Sequence, residues 1–258
     1  MTPRANTPAT PKLPELSIVV PVYNEGEAVA AVLRALEASL TTPHETLVVY
    51  DFEGDTTVPV LAGLAVELPA VRGLRNDIGR GVLNALRAGL AAARGEYVLV
   101  TMADGSDQPE VVERMVALAR AGADVVAGSR YMRGGRQVGG PRLKALMSRL
   151  AGLSLHWFAG VPVHDATSNF RLYRRAFLDS VTIESRAGFE LALELTVKAT
   201  LAGRPMAEVP TTWRDRTSGQ SNFRLRKWLP EYLRWYAVAI RGRFRRLGKR
   251  FRRRSPVA

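Results

Sequence analysis

Asp104 and Asp107 stand directly after the apolar run YVLVT (97–101), inside the string ADGSDQPE. Carboxylates at the C-terminal end of a strand converge on a binding edge. Hard oxygen ligands there suit Mg2+ or Mn2+ holding a diphosphate. The same string also reads as a turn and a helix start, with Asp107 capping and Pro109 in the first helical turn. A cap needs only one of the two acids, which leaves Asp104 as the ligand. RNDIGRG (75–81) carries Gly79 and Gly81 ahead of a helical pattern. Such a turn can cradle phosphate on backbone N–H groups and is also common in α/β loops. Asp51, in DFEGD, can meet a base or ribose or cap the next helix. Arg130, Arg133, Arg136, Arg142 and Lys144 cluster around glycine pairs and suggest an anion site, against a background of ordinary solvated charge. His44, His156 and His164 share no metal-ligand spacing and read as structural or surface groups. The chain has no Cys, which excludes disulfides, thiolate zinc sites, iron–sulfur clusters and cysteine nucleophiles. It has no Walker loop and no Ser/His/Asp arrangement. Trp157, Trp213, Trp228 and Trp235 read as core or interface anchors.

The elements that must position these loops follow from periodicity. Continuous apolar runs at 16–20, 46–50, 71–74, 97–101 and 124–128 alternate with helical patterns at about 27–40, 57–66, 80–94 and 109–121. Such alternation predicts an α/β fold, a mostly parallel sheet with helices on both faces, whose strand-end loops line up along one edge. After residue 141 the pattern becomes a helix at 142–158, a turn at 161–169, a short strand at 170–173, helices near 174–181 and 188–202, and a strand at 206–213. The domain reading is a flexible leader over 1–14, one catalytic unit over 15–223, and a basic C-terminal segment over 224–258.

The 258 residues are 47% hydrophobic and 24% charged, an ordinary globular balance that excludes global disorder and fibrous repeats. The net charge is +13, and the 13 Lys/Arg against the single Glu231 beyond residue 223 leave only +1 for everything before. A nucleic-acid partner, an anionic membrane or a solvated tail can each account for such a segment. The neutral body and the absence of a groove-reading pattern argue against nucleic acid. No apolar run is long enough to span a bilayer or serve as a signal peptide.

Taken together, LSIVVPVYNE, RNDIGRGVLNALRAGLAAARGEYVLVTMADGSDQPE, GSRYMRGG, DATSNFRLYRR and EVPTTWRDRTSGQSNF resemble glycosyltransferase family 2, and within it the polyprenyl-phosphate branch with the GT-A fold. The resemblance covers roughly residues 16–223. It implies that Pro21, Tyr23, Glu25 and Asp51 hold the nucleotide's base and ribose, with Asn76 and Arg80 on the same edge. Asp104 matches the metal-binding Asp of the DxD motif. Arg130, Lys144 and Ser148 match positions that grip a lipid phosphate, and Arg216 one near the donor diphosphate. Met102 stands where the motif carries its first Asp, Tyr50-Asp51 replaces an acidic pair, Ser106 a Gln, Lys144 an Arg and Asn222 a Lys.

The activity so implied is inverting transfer of a sugar, mannose or glucose, from a nucleotide-diphospho-sugar to a polyprenyl phosphate. Asp104, Arg130 and Arg216 carry the catalysis, with Mg2+ or Mn2+ on Asp104 and Asp107. A phosphate nucleophile is already anionic and needs no strong base; a soluble hydroxyl acceptor, the alternative, would need one. Glu190 and Glu194 are the first candidates for that role, and otherwise read as exposed helix positions. Residues 228–254 form the last expectation. Leu229, Leu233, Tyr236, Ile240, Phe244, Leu247 and Phe251 recur at helical spacing, and nine Lys/Arg lie between Arg241 and Arg254. That pattern suits an amphipathic helix resting on the cytoplasmic face of the membrane, or one packed on the domain or on a small membrane partner protein.

Overall fold

The computed structural model describes residues 13–215 and 225–252. Its centre is a seven-stranded sheet built from β1 (Leu16–Pro21), β2 (His44–Tyr50), β3 (Val71–Arg75), β4 (Tyr97–Val100), β5 (Val125–Ser129), β7 (Arg171–Arg174) and β8 (Met206–Pro210). The spatial order is β3-β2-β1-β4-β7-β5-β8. All pairings are parallel except those of β7, which runs antiparallel to both β4 and β5. β4 and β5 therefore point the same way, and their C-terminal ends share an edge with those of β1, β2 and β3.

Every residue of β1 is buried, including Ser17, whose hydroxyl donates to Glu45 Oε1 at 2.7 Å. Ile18 and Val20 face α1 (Ala28–Ala38), α2 (Thr57–Leu64) and α4 (Val112–Arg120), packing with Leu33, Leu61 and Met115. Val19 faces the other way, with Leu86 and Leu90 of α3 (Val82–Ala92) and Leu195 of α7 (Leu191–Ala202). This alternation is the period of two that a strand imposes. Gly89 lets α3 lie directly on β1: a Cβ there would sit 2.3 Å from Val19 Cγ1.

The expected mostly parallel sheet is thus present, and three details differ from the sequence reading. The strand expected over 206–213 divides at Thr211 into β8 and β9 (Thr212–Arg214). There the chain changes sheets: Thr211 N donates to Ser129 O at 3.1 Å, and Arg136 N to Thr211 O at 2.9 Å. β9 pairs in parallel with β6 (Arg136–Val138), a three-residue strand too short and polar to leave a period in the sequence. The helix expected over 142–158 is α5 (Arg142–Ser154) followed by a π turn, Leu155–Ala159, that ends at left-handed Gly160. The short α6 (Arg175–Asp179) leads toward α7.

The C-terminal helix is α8 (Leu225–Arg252). It docks on α7 and the π turn through Trp235 and Ala239, which join Leu155, Ala159, Leu193 and Val197 in a third apolar cluster. Tyr232 hydroxyl donates to Phe189 O at 3.0 Å, and a Cβ on Gly242 would meet Leu201 Cδ2 at 2.2 Å. Arg246 donates to the carbonyl of Thr200 near the end of α7. The expected stripe is divided: Leu229, Leu233 and Phe244 are exposed, while Tyr236 and Ile240 are half-buried and pack against this cluster. The side chains of Leu247 and Phe251 lie outside the described residues. Among the described residues, no helix is long and apolar enough to cross a membrane.

Candidate active site

The loops after β1 and β2 brace one another. Asp55, buried, accepts hydrogen bonds from Asn24 N at 3.0 Å and Thr57 N at 2.8 Å, and Glu25 N donates to Thr57 Oγ1 at 3.1 Å. Asn24 takes a left-handed φ of 55° to make this turn, which leaves Tyr23 exposed beyond buried Pro21. Asp51 Oδ1 accepts from Asn76 Nδ2 at 2.7 Å and Asp51 Oδ2 from Gly81 N at 2.8 Å. Asn76 Nδ2 also donates to Gly79 O at 2.6 Å, so the 76–81 loop hangs on Asp51. Above this brace, Arg80 lies 5.0 Å from the centre of the Phe52 ring, and Tyr23 meets the same ring edge-on at 5.9 Å. The sequence reading gave Phe52 no role; its only signal was an aromatic side chain in a strand-end loop.

Beyond β4, Asp104 Oδ1 accepts Ser106 N at 3.1 Å across Gly105, whose φ is +67°. Asp107 turns back to the strand: its Oδ2 accepts Thr101 Oγ1 at 2.9 Å and Met102 N at 3.2 Å. This corrects the capping reading. The 3-10 turn Pro109–Val111 starts from Gln108 and has no side-chain cap. Burial pushes the Asp107 carboxyl up to about 6, with neighbouring Asp104 adding to the rise and the Met102 N–H and Thr101 hydroxyl opposing it. Beneath the loop, Thr101, Met102 and Asp107 line a cavity of about 90 Å3 with Val32 and Leu36 of α1 and with Phe170. The loop is tied to β9, since Ser106 O accepts Arg214 N at 3.0 Å and Gln108 Oε1 accepts Thr212 N at 2.9 Å. Among the described residues no cluster of three or more His, Asp or Glu forms. Asp104 and Asp107 are near enough to interact electrostatically, and carboxylate oxygens are the donor type that suits a hard divalent cation.

At the end of β5 the chemistry changes sign. Arg130 Nε donates to Asp165 Oδ2 at 2.7 Å and Nη2 to Oδ1 at 3.0 Å, a bidentate pair in which Asp165 is fully buried. Nη2 also reaches Ser148 Oγ at 3.3 Å and Thr167 Oγ1 at 3.2 Å, and those two hydroxyls are 2.9 Å apart. Burial alone would lower the Arg130 pKa, and the Asp165 carboxylate overrides it and holds the guanidinium above its ordinary value. Burial likewise works to raise Asp165, and Arg130 holds it below the usual carboxylate range. Fully buried Arg171 fixes the turn beneath, donating to Asp165 O at 2.6 Å and Ser168 O at 3.2 Å. The structure thus joins predicted Arg130 and Ser148 to Asp165, Thr167 and Arg171, which the sequence reading left without roles inside DATSNFR. Arg133 and Arg136 are exposed. Lys144 lies on α5, but its side chain and that of Arg142 are outside the described residues, as is Arg216 altogether.

Glu190 and Glu194 need correcting. Both are fully buried rather than exposed. Glu190 accepts the backbone N–H groups of Arg186, Ala187 and Gly188 at 2.8, 2.7 and 2.6 Å. Glu194 accepts Glu184 N at 2.6 Å and Ser185 N at 2.7 Å, and pairs with Lys198 at 2.7 Å. Carboxylates so saturated hold the loop before α7. The histidines are structural: His44 bonds Glu37 at 3.0 Å, and His164 stacks on His156 with ring centres 4.1 Å apart.

This site sits on a chain with recognisable relatives. It is 32% identical over 238 residues to a polyprenol monophosphomannose synthase of Mycolicibacterium smegmatis, covering 89% of this chain and 88% of that one. It is 33% identical over 209 residues to an undecaprenyl-phosphate mannosyltransferase of Micrococcus luteus, covering 79% and 85%. Among solved structures, the fold is shared with the glucosyl-3-phosphoglycerate synthase of Mycobacterium tuberculosis in complex with Mn2+, UDP and phosphoglyceric acid. The TM-score is 0.64 at 19% identity, over 89% of this chain and 78% of that one. The family model for Glycosyl transferase family 2 matches residues 17–182, and the chain belongs to that family.

Proposed function

We propose that the protein transfers a sugar, mannose or glucose, from a nucleotide-diphospho-sugar to a polyprenyl phosphate, with inversion at the anomeric carbon. The observation that carries this reading is the largely buried Arg130 guanidinium flanked by the Ser148 and Thr167 hydroxyls, a cradle for a phosphate on the same sheet edge as the Asp104 loop. The two relatives, a polyprenol monophosphomannose synthase and an undecaprenyl-phosphate mannosyltransferase, support the same chemistry.

Each part of the edge has a task. Tyr23, Phe52 and Arg80 form a shelf for the nucleotide base, with Pro21 and Glu25 closing its inner side. Asp51 and Asn76 hold the loop that carries Arg80. Asp104 and Asp107 are the ligands for Mg2+ or Mn2+, which when bound supplies positive charge to the departing diphosphate. Arg130, Ser148 and Lys144 grip the acceptor phosphate, with Arg216 on the donor side. A phosphate oxygen then attacks the anomeric carbon as the bond to the diphosphate oxygen breaks. The attacking oxygen is already anionic, so alignment and charge placement are the protein's contribution. Asp165 is no base, since Arg130 holds it ionised and occupied.

The alternative of a hydroxyl acceptor is disfavoured because Glu190 and Glu194 are walled in by backbone N–H groups. Membrane attachment on the inner face, through the basic helix or a small partner protein, belongs to the same reading. The test is incubation of the purified chain with labelled nucleotide sugars, Mg2+ or Mn2+, and a detergent-dispersed polyprenyl phosphate. Label entering the organic phase as an acid-labile lipid is the expected result. Label remaining in water with every donor overturns the assignment.

A further inference from the structure

The sequence reading closes the catalytic unit at residue 223, yet the helix that follows reaches the site. Tyr232, Trp235, Ala239, Gly242 and Arg246 of α8 recur at steps of 3, 4, 3 and 4, one stripe of a helix. Their partners follow α7 from its start to its end. The Tyr232 hydroxyl donates to Phe189 O at 3.0 Å, just ahead of α7, and Trp235 packs with Leu193 and Val197. Gly242 abuts Leu201, and Arg246 donates to the carbonyl of Thr200. α7 leads into β8, which runs parallel to β5, so α7 starts at the edge where β5 delivers Arg130. The first turns of α8 lie at that edge too.

There α8 grips the 184–190 segment at both ends. Arg234 Nη2 pairs with Glu184 Oε2 at 3.0 Å, and Tyr232 holds Phe189. Glu194 and Glu190 brace the same segment from within. Arg87 of α3, the helix that follows the Arg80 loop, donates to Ser185 O at 2.9 Å. Tyr232 and Trp235 also join the apolar cluster that contains Val163 and Ala166, on either side of Asp165. The Tyr232 phenol is close enough to Glu190, Arg130 and Asp165 to feel all three charges. Burial holds it above the ordinary tyrosine range, Glu190 and Asp165 add to the rise, and Arg130 opposes it. The phenol therefore stays protonated and keeps donating to Phe189.

We infer that Tyr232 is a positioning residue for transfer: from α8 it fixes the 184–190 segment beside the Arg130–Asp165 pair, so that the catalytic unit extends through α8. The inference rests on the lipid-phosphate reading of the Arg130 site. Small misplacement of a group that aligns substrate costs rate even where the fold is intact. Loss of this one hydroxyl should therefore show in the acceptor kinetics rather than in stability.

The experiment compares the full chain with Tyr232→Phe, which keeps the ring and removes the donor, and with Tyr236→Phe, one helical turn on. Hydrogen exchange read by mass spectrometry, with no substrate present, is the first arm. Tyr232→Phe is expected to speed exchange about fivefold at 186–188, whose N–H groups meet Glu190, and at 167–168, whose N–H groups meet Asp165. The detergent transfer assay is the second arm. There Tyr232→Phe is expected to raise the KM for polyprenyl phosphate about fivefold, with the donor KM within about twofold and the thermal midpoint within about two degrees. Tyr236→Phe leaves every one of these values unchanged. Unchanged exchange in Tyr232→Phe overturns the inference, as does an unchanged lipid KM or an equal rise in both KM values. A wild type that passes no sugar to polyprenyl phosphate removes the acceptor reading instead, and the exchange arm then decides the role of Tyr232 by itself.

Discussion

The donor side of the edge and the acceptor side solve the problem of holding charge differently. At the ends of β1, β2 and β4, side chains that face the site are exposed or half-buried, and main-chain contacts brace them. Asp51 holds Gly81 N, Asp104 holds Ser106 N, and Asp55 holds Asn24 N. At the end of β5, a cation is buried against an acid 35 positions later, and a second buried Arg fixes the acid's turn. An Asn in place of Asp51 or Asp104 keeps an oxygen that can accept the same backbone N–H. A buried ion pair does not survive loss of one partner, because the other is left desolvated and unpaired. Donor-side substitutions should therefore cost activity and spare the fold, and acceptor-side substitutions should cost both.

The largest effect is expected at Asp165. Asp165→Asn leaves Arg130 buried without its counter-ion and should cost about 3–5 kcal/mol of stability. The double change Arg130→Met, Asp165→Leu should cost less than Asp165→Asn alone, because it removes both charges. Denaturant melts of the three proteins decide this. A double variant as unstable as the single one would mean that the pair's shape, not its charge, is what the fold needs.

Asp104→Asn tests the other side. Transfer should fall at least a hundredfold, about 2.7 kcal/mol of barrier, with the melting midpoint within a degree or two of wild type. Activity within about threefold, ~0.65 kcal/mol, would remove Asp104 from the mechanism. A large loss of stability would instead erase the contrast between the two sides.

What the sequence revealed follows the same division. Asp104, Arg80 and Asn76 lie at the ends of runs whose period announces the strands, so their convergence on one edge was readable from pattern alone. Arg130 was visible as a cation at a strand end, but its partner was not. Asp165 looks like any Asp in a polar turn, and only β7 running antiparallel between β4 and β5 brings that turn to Arg130. Glu190 and Glu194 misled because a Glu near the start of a helix usually faces water. α7 is sandwiched between the sheet and α8, so its polar residues are buried with the rest. β6 and β9 escaped notice because three residues each cannot establish a period. Phe52 was hidden by function: an aromatic ring has no reason to sit half-exposed in a loop until something stacks on it.

Phe52 supplies a middle-sized test. Phe52→Ala should weaken nucleotide binding about tenfold, ~1.4 kcal/mol, in titration calorimetry with the donor nucleotide. Arg130→Lys should leave that affinity within twofold while raising the apparent KM for the lipid phosphate. Equal losses of nucleotide affinity in both variants would mean that the two sides form one site rather than two.

The smallest effect concerns a charge pair far from the site, at the start of β2, and it separates pairing as such from pairing with a function. His44 Nδ1 lies 2.8 Å from Thr42 O and Nε2 lies 3.0 Å from Glu37 Oε2. Both neighbours are acceptors, so only the imidazolium, which donates from both nitrogens, satisfies them together. The bond to Glu37 raises the His44 pKa above its ordinary 6.5, with burial opposing. A pKa raised in the folded state means the contribution is complete below about 6.5, the unfolded value, and is lost as pH climbs through the higher folded value. Subtracting the melting curve of His44→Gln from that of wild type isolates the term from other titrating groups. The difference should be largest near pH 5.5 and shrink by roughly 1–3 °C on the way to pH 8.5. A pH-independent difference would mean that His44 is neutral throughout and holds Glu37 by shape alone. The Arg130–Asp165 pair should be flat over the same range, because neither partner titrates there, and that contrast is what distinguishes a permanent charge at the site from a conditional one at its far edge.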